Sequence, residues 1–363
     1  MSLRIQEHIS LKEFTTMKIG GTARFFAVVT SADELAEALA VAHEKKCRLV
    51  VLGGGSNTLV SEGTIDAFVV KIAIRGTMWK DEGTSVLVIA GAGENWDGLV
   101  AEAVLRGLWG VENLSGIPGT VGATPIQNIG AYGTEVQEVI EWVEVFDTKT
   151  GKIEQFTKEA CGFSYRDSIF KRPEGKAFVV TRVAFRLQKN GTPNLAYKDL
   201  KERFKIPDSG FKNKDDKPSL TDIRNAIIEI RSKKFPDLKE FGTAGSFFKN
   251  PIISSERFSE LKKTYPDLPG FELRTSNLEL RIKVPLAWVL DNICGLKGFE
   301  KGNVKLFEKQ PIVLVQNGSA SSEEIEAFAK EIIASVKTKT GIDVEWEVAF
   351  IGGNKRHPAS SAG

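Results

Sequence analysis

The stretch GLWGVENLSGIPGTVGATPIQNIGAYG, residues 107–133, constrains this chain more than any other feature. Its seven glycines are too many for a helix or a strand, and it is too long for a plain connector. Loops of that length in compact domains are either functional or disordered. The Leu, Ile, Val, Trp and Tyr residues spaced along it are apolar anchors, so order is expected. Its small and polar positions, Ser115, Gly116, Gly119, Thr120, Gly122, Ala123, Asn128, Gly130 and Gly133, would leave backbone N–H groups open to a ligand. A shorter cluster, Gly53, Gly54, Gly55, Ser56 and Asn57, follows the apolar run RLVVL. Such a turn lets backbone donors approach phosphate, with Ser56 and Asn57 adding side-chain donors. It is neither a GxGxxG fingerprint nor a P-loop, whose lysine is missing, and alone it reads equally well as a structural turn. Two glycine-rich loops in one half of the chain suggest an extended diphosphate lying against backbone, as a dinucleotide cofactor requires; two unrelated turns are the alternative.

At 363 residues the chain exceeds one ordinary core, and two or three domains are expected. Near its start the strand ARFFAVV leads into a helix opened by Ser31, with Glu34 three residues on in a capping-box pattern. Leu35, Ala38, Leu39 and Ala42 give that helix one buried face, and RLVVL completes a β-α-β unit. From about residue 66 strands dominate, AFVVKI, SVLVIAGAG and AFVVTRVAFRL, with one helix from about Asn95 to Arg106 closed by Gly107. Residues 189–220 read as a polar, helix-containing connection with an exposed lysine-rich turn. Beyond them the pattern predicts a helix from Thr221 to about Lys234, another near 255–264 and one from Pro285. A strand PIVLVQN, a helix over about 323–338 and a last strand DVEWEVAFIG complete the series. The tail GNKRHPASSAG has no period and is expected to be flexible.

Lys and Arg number 49 against 47 Asp and Glu, a formal charge of +2, so no long-range field recruits nucleic acid or anionic lipid. Any anion must be met by local groups. Cys47, Cys161 and Cys294 are far apart and lack CxxC spacing, which supports neither a disulfide framework nor a zinc site. No window is apolar over the roughly 20 residues that spanning a bilayer needs. With the charged start MSLRIQEHISLKEF, this predicts a soluble, cytoplasmic protein with no membrane or nucleic-acid partner, expected as a monomer. His8, His43 and His357 lie at chain ends or on a surface helix, so a Ser-His-Asp hydrolase and a metal centre are both disfavoured. The chemistry then belongs to a bound cofactor.

Three stretches hold groups suited to a reaction. Arg166, in FSYRDSIFK, offers a planar fork for a carboxylate, although most arginines so placed form a strand-end ion pair. Ser246, in GTAGSFFKNP, reads in isolation as a turn or cap residue, yet Lys249, Asn250 and Lys234 are near it in sequence. In VEWEV, Glu345 and Glu347 would share one strand face with Trp346 on the other; a solvated acidic pair is the usual outcome, and a face turned into a cleft would make one of them an acid.

In this order, VLGGGSNTLV, IPGTVGATPIQNIGAYG, YRDSIFK, GTAGSFFKNP and VEWEVAFIG resemble the UDP-N-acetylenolpyruvoylglucosamine reductase family, flavoenzymes of peptidoglycan precursor synthesis. The resemblance runs over nearly the whole chain. The long segment between YRDS and GTAGSFFKNP resembles the longer of the family's two forms. It implies an α+β architecture: an FAD-binding fold of two α/β subdomains, vanillyl-alcohol-oxidase-like, plus an α+β substrate-binding domain. The expected divisions are 1–72 and 73–236 for the FAD-binding subdomains and 237–340 for substrate. Residues 341–351 would be a strand returning to the FAD-binding half, carrying Glu347 into a cleft, and 352–363 a tail.

Carried onto matching positions, the resemblance implies that Gly53, Gly54, Gly55, Ser56, Asn57, Ser115, Gly119, Thr120, Gly122, Ala123 and Asn128 bind FAD. Tyr165, Tyr197, Lys234, Asn250, Phe271 and Gln310 would grip UDP-N-acetylglucosamine enolpyruvate. NADPH would reduce the flavin, hydride would pass from FAD to C3 of the enol ether, and Ser246 would give the proton to C2, with Arg166 and Glu347 as its partners. In the longer form a tyrosine covers the substrate; Phe271 stands there, so the aromatic is kept and its hydroxyl lost. The competing readings are another FAD-dependent oxidoreductase of this fold acting on a sugar or alcohol, and a non-catalytic nucleotide-sugar binding protein, which would be colourless.

Overall fold

The computed structural model describes residues 3–206, 217–274 and 279–352. Contacts divide the chain into two compact units, one of residues 1–9, 23–54 and 66–232, the other of residues 10–22, 55–65 and 233–363. The divisions expected from the sequence run consecutively, whereas these units interleave. The reason is hydrogen bonding within the second unit: the Thr243 amide donates to the Thr16 carbonyl at 3.0 Å, and the buried Gln316 side chain donates to the Met17 carbonyl at 2.7 Å. Residues 10–22 are thereby fixed to segments more than two hundred residues away in sequence.

The first unit holds two sheets. One has the order β1 (Gln6–Ser10), β2 (Thr22–Val29), β5 (Thr64–Ile72), β3 (Arg48–Leu52), and β3 runs parallel to β5. The helix α1 (Ala32–Glu44) starts where the Ser31 hydroxyl accepts from the Glu34 amide at 3.1 Å. The Glu34 carboxylate accepts from the amide and hydroxyl of Thr30, so the reciprocal half of the expected box is displaced by one residue. Leu35, Ala38 and Ala42 are buried in a core with Phe25, Val29, Phe68 and Val70, the face that the apolar spacing predicts.

The other sheet has the order β11 (Lys152–Thr157), β10 (Ile140–Asp147), β12 (Phe178–Gln188), β7 (Ser85–Gly91), β6 (Thr77–Asp81), antiparallel throughout. The helix α2 (Trp96–Leu105) is capped by Asn95, whose side chain accepts from the Gly98 amide at 2.7 Å. Trp96 packs at 5.6 Å from the Phe185 ring and donates its indole N–H to the Leu114 carbonyl at 3.0 Å, which ties the long glycine-rich loop to the core. Of the polar connection read at 189–220, residues 207–216 lie outside the described residues. Around them α3 (Lys198–Arg203) and α4 (Leu220–Lys234) pack through Leu200, Ile223 and Ile227 onto Tyr132.

The second unit has a sheet of β13 (Ile252–Ser254), β15 (Leu280–Lys283) and β14 (Phe271–Arg274), and another of β16 (Glu300–Lys301), β17 (Val304–Leu306) and β18 (Leu314–Gln316). Two segments distant in sequence, β4 (Thr58–Val60) and β19 (Ala349–Ile351), pair in parallel, with Leu59 opposite Phe350. The helices are α5 (Ser255–Thr264), a short α6 (Leu286–Trp288) that continues into a wider turn over Val289–Ile293, and α7 (Ser322–Thr340). On α7, Ile325, Phe328, Ala329, Ile332 and Val336 are buried with Leu286, Val313 and Leu314.

The expected strand DVEWEVAFIG is regular only over β19. Val344, Trp346 and Val348 are buried in strict alternation, yet residues 343–348 make a single bridge, Trp346 to Phe248. Their partner segment is itself irregular, so isolated bonds replace a ladder. Phe247 and Phe248 are both fully buried, and the Phe247 ring lies 4.9 Å from Trp346 and 5.3 Å from Phe248. Phe247→Ala is expected to destabilise the protein by about 3–5 kcal/mol. The check is the urea midpoint at unchanged slope; a loss under about 1 kcal/mol would show that this ring is not the anchor. Among the described residues no helix is long and apolar enough to cross a membrane.

Candidate active site

In the second unit the serine turn is held by backbone. Gly242 and Gln316 exchange two backbone hydrogen bonds at 2.9 Å, the Thr243 hydroxyl donates to the Leu314 carbonyl at 2.7 Å, and the Thr16 hydroxyl donates to the Thr243 carbonyl at 2.7 Å. Gly245 follows with φ +74°. A Cβ there would meet nothing within 4 Å, so it is the left-handed backbone, not crowding, that calls for glycine. The half-buried Ser246 comes next, and its hydroxyl makes no hydrogen bond among the described residues.

On the far side of the turn, the Phe247 amide donates to the Ile312 carbonyl at 2.8 Å, while the Phe247 carbonyl accepts from the Glu347 amide at 2.8 Å. Ser246 and Glu347 therefore sit on adjacent segments joined next to the serine. The first glycine turn is bonded to the same place. Asn57 donates its side-chain amide to the Glu347 carbonyl at 3.2 Å, its carbonyl accepts from the Ala349 amide at 2.9 Å, and the Gly55 carbonyl accepts from the Thr16 amide at 3.1 Å. The two glutamates differ: Glu345 is exposed and pairs with Lys249 at 2.7 Å, whereas Glu347 is half-buried.

The remaining residues of this unit are less uniform. The Asn250 side-chain oxygen accepts from the Leu286 amide at 2.9 Å and starts α6, which leaves its amide NH₂ for other partners. Gln310 forms backbone bonds at 2.9 Å to Phe307 and Val313 in the turn before β18. Phe271 opens β14, is 57% exposed and has the Lys283 ammonium 6.0 Å from its ring centre. Lys234 ends α4.

In the first unit Tyr165 and Arg166 occupy the tip of a two-residue hairpin, closed by paired backbone bonds of 3.1 and 3.2 Å between Ser164 and Asp167. Arg166 has φ +55°, a conformation costing a non-glycine residue on the order of 1 kcal/mol or more. Its guanidinium donates to the Gly130 carbonyl at 2.9 Å and lies 5.4 Å from the Tyr165 ring centre, while the Asp167 carboxylate accepts from Arg172 at 2.9 Å. Tyr197 begins α3 and meets Tyr132 edge-on at 5.3 Å.

The glycine loops of this unit touch backbone to backbone. A Cβ on Gly54 would stand 2.8 Å from the Gly119 Cα, and one on Gly53 would stand 3.0 Å from the Thr120 hydroxyl. Gly122 and Val121 are bound by their amides to Ala92 and Glu94 at 2.8 and 2.9 Å, and the Gly119 carbonyl accepts from Trp96 at 3.2 Å. The amides of Gly54, Gly119 and Thr120 have no acceptor among the described residues. Unpartnered N–H groups on half-buried residues call for an acceptor, and neighbouring amides on two loops in contact suit the oxygens of a diphosphate. Ala123 is half-buried in the same loop. Ser115 and Asn128 are fully buried and shape it: Ser115 donates to the Glu112 carbonyl at 2.6 Å, and Asn128 donates to Glu135 and to the Ser164 carbonyl at 2.8 and 3.0 Å. Their side chains are spent on the protein. Among the described residues no three His, Cys, Asp or Glu side chains are grouped to hold a metal.

The chain is an α+β flavoprotein with an FAD-binding domain in its N-terminal half. Residues 23–157 match the family described as FAD binding domain, and residues 237–351 match UDP-N-acetylenolpyruvoylglucosamine reductase, C-terminal domain. A UDP-N-acetylenolpyruvoylglucosamine reductase of Pseudomonas aeruginosa is 39% identical over 96% of this chain and 99% of its own length, and one of Flavobacterium johnsoniae is 37% identical over 96% and 100%. The crystal structure of the reductase of Thermus caldophilus has TM-score 0.64 and 25% identity over 96% of this chain and 99% of its own. The chain belongs to the UDP-N-acetylenolpyruvoylglucosamine reductase family, FAD-dependent oxidoreductases of peptidoglycan precursor synthesis.

Sequence reading did not single out Thr16, Thr243 or Gln316, which set the serine turn in place. Gln316, a polar residue ending the apolar run PIVLVQ, was the one visible signal; Thr16 gave none.

Proposed function

We propose that the chain reduces the enolpyruvyl group of UDP-N-acetylglucosamine enolpyruvate to give UDP-N-acetylmuramate, with NADPH as reductant and FAD resident on the two glycine loops. When bound, FAD supplies a hydride to C3 of the enol ether. The reading rests chiefly on Ser246, a half-buried hydroxyl with no hydrogen-bond partner among the described residues, on a turn whose backbone is fixed from both sides.

A serine hydroxyl is a weak acid, which suffices here. Charge that builds at C2 makes that carbon a strong base, so a positioned hydroxyl can protonate it without a pKa near neutrality. Arg166 offers its fork to the substrate carboxylate, and Glu347 assists at the developing enolate; donors aimed at that charge favour the transition state over the substrate. Gly53, Gly54, Gly119 and Thr120 would present backbone to the FAD diphosphate, with Gly55, Ser56, Asn57, Gly122 and Ala123 beside them and Ser115 and Asn128 supporting the loop. Tyr165, Tyr197, Lys234, Asn250, Phe271 and Gln310 would hold the UDP-sugar.

The test is product analysis with NADPH and the enolpyruvyl UDP-sugar. In deuterated water the product is expected to carry deuterium at C2, and in ordinary water with NADPH deuterated on its transferable hydrogen, deuterium at C3 to the extent that transfer outruns exchange of the flavin N–H with solvent. Yellow protein that NADPH reduces but that leaves the UDP-sugar unchanged would instead favour a flavin oxidoreductase for another sugar or alcohol.

A further inference from the structure

We propose that Arg231, on α4, is a positioning residue for the FAD diphosphate: by fixing the Gly116 peptide it sets the direction of the Gly119 and Thr120 amides. The peptide units flanking Gly116 are gripped from both sides. Its N–H donates to the Asp97 carboxylate at 2.6 Å, and its carbonyl accepts from the Arg231 Nε at 3.0 Å. Asp97 is held in turn by a two-pronged pair with Arg224, 2.6 and 2.9 Å, in which the arginine side chain is only 14% exposed. Arg224 and Arg231 are seven residues apart on α4 and so lie on one helix face.

Arg231 is partly buried, with the Tyr132 phenol near its guanidinium. Its stem fills the space over Gly116, Cδ lying 3.1 Å from where a Cβ would stand. Gly116 has φ +70°, so its flanking peptides are turned relative to each other, and the two grips hold them in that turn. Three residues on, Gly119 and Thr120 present amides with no acceptor among the described residues. A rigid guanidinium that donates Nε–H to this carbonyl while its stem packs over Gly116 orients the loop in a way that lysine cannot copy.

This inference rests on the assignment of the FAD diphosphate to these loops. The test is flavin titration of the apo-protein, followed by flavin fluorescence, with FAD and with FMN, which lacks the bridging diphosphate. Wild-type protein that does not prefer FAD to FMN would overturn the assignment itself. Given that preference, Arg231→Met is expected to weaken FAD by about ten- to a hundredfold, and Arg231→Lys by about tenfold or less, with FMN changed by less than about threefold in each. FAD affinity at the wild-type value, or FAD and FMN weakened in equal measure, would overturn the positioning role. If Arg231→Met does not fold, the ratio of the two affinities in Arg231→Lys decides the matter.

Discussion

Ser246→Ala is expected to slow transfer from reduced flavin to the enolpyruvyl UDP-sugar by about 10²–10⁴-fold, the usual worth of a positioned proton donor. Reduction of the bound flavin by NADPH should stay within about threefold of wild type, since the hydroxyl has no part in that half-reaction. The substitution is clean on structural grounds. The turn is set by Gly245, by the Phe247 amide and carbonyl, and by the threonines at 16 and 243, none of which uses the serine oxygen. Stopped-flow absorbance of the flavin separates the two half-reactions. A matching loss in both would mean that the variant disturbs the flavin environment, and the proton-donor role would be withdrawn.

Much of what builds the first unit was legible because it is local. Ser31, Asn95 and Gly107 mark helix ends through bonds spanning only a few residues, and apolar spacing names the buried face of α1. The two glycine loops could be paired on paper because backbone contact demands residues without side chains, and Gly54 does meet Gly119. The serine turn was legible as a suspicion only. What supports it is long-range: Thr16, Thr243, Gln316 and Asn57 act through single bonds to distant backbone, and such bonds leave no period in a sequence. The same holds for the two glutamates of VEWEV. Strand alternation treats them alike, and they differ because Lys249, from another segment, takes Glu345. The regular last strand was overread, since alternating burial needs only a neighbour on each side and not a continuous ladder.

Gly54→Val is expected to give folded but nearly colourless protein, with FAD bound at least about a hundredfold more weakly. The Cβ would stand 2.8 Å from the Gly119 Cα, 3.2 Å from its carbonyl carbon and 3.4 Å from the Thr120 nitrogen. All three are backbone atoms, so no rotamer change relieves the clash. The loops must part, and parting moves the amides of residues 119 and 120. Gly53→Ala is the graded control: its nearest neighbour is the Thr120 hydroxyl at 3.0 Å, a side-chain group able to turn aside, so a loss of about tenfold or less follows. Flavin content on purification and titration of the apo-protein measure both, with far-UV circular dichroism to show that α1, α2 and the sheets persist. Were Gly54→Val to retain wild-type FAD, backbone contact of the two loops would not be what shapes the cofactor cradle, and the diphosphate would have to be sought elsewhere on the first unit.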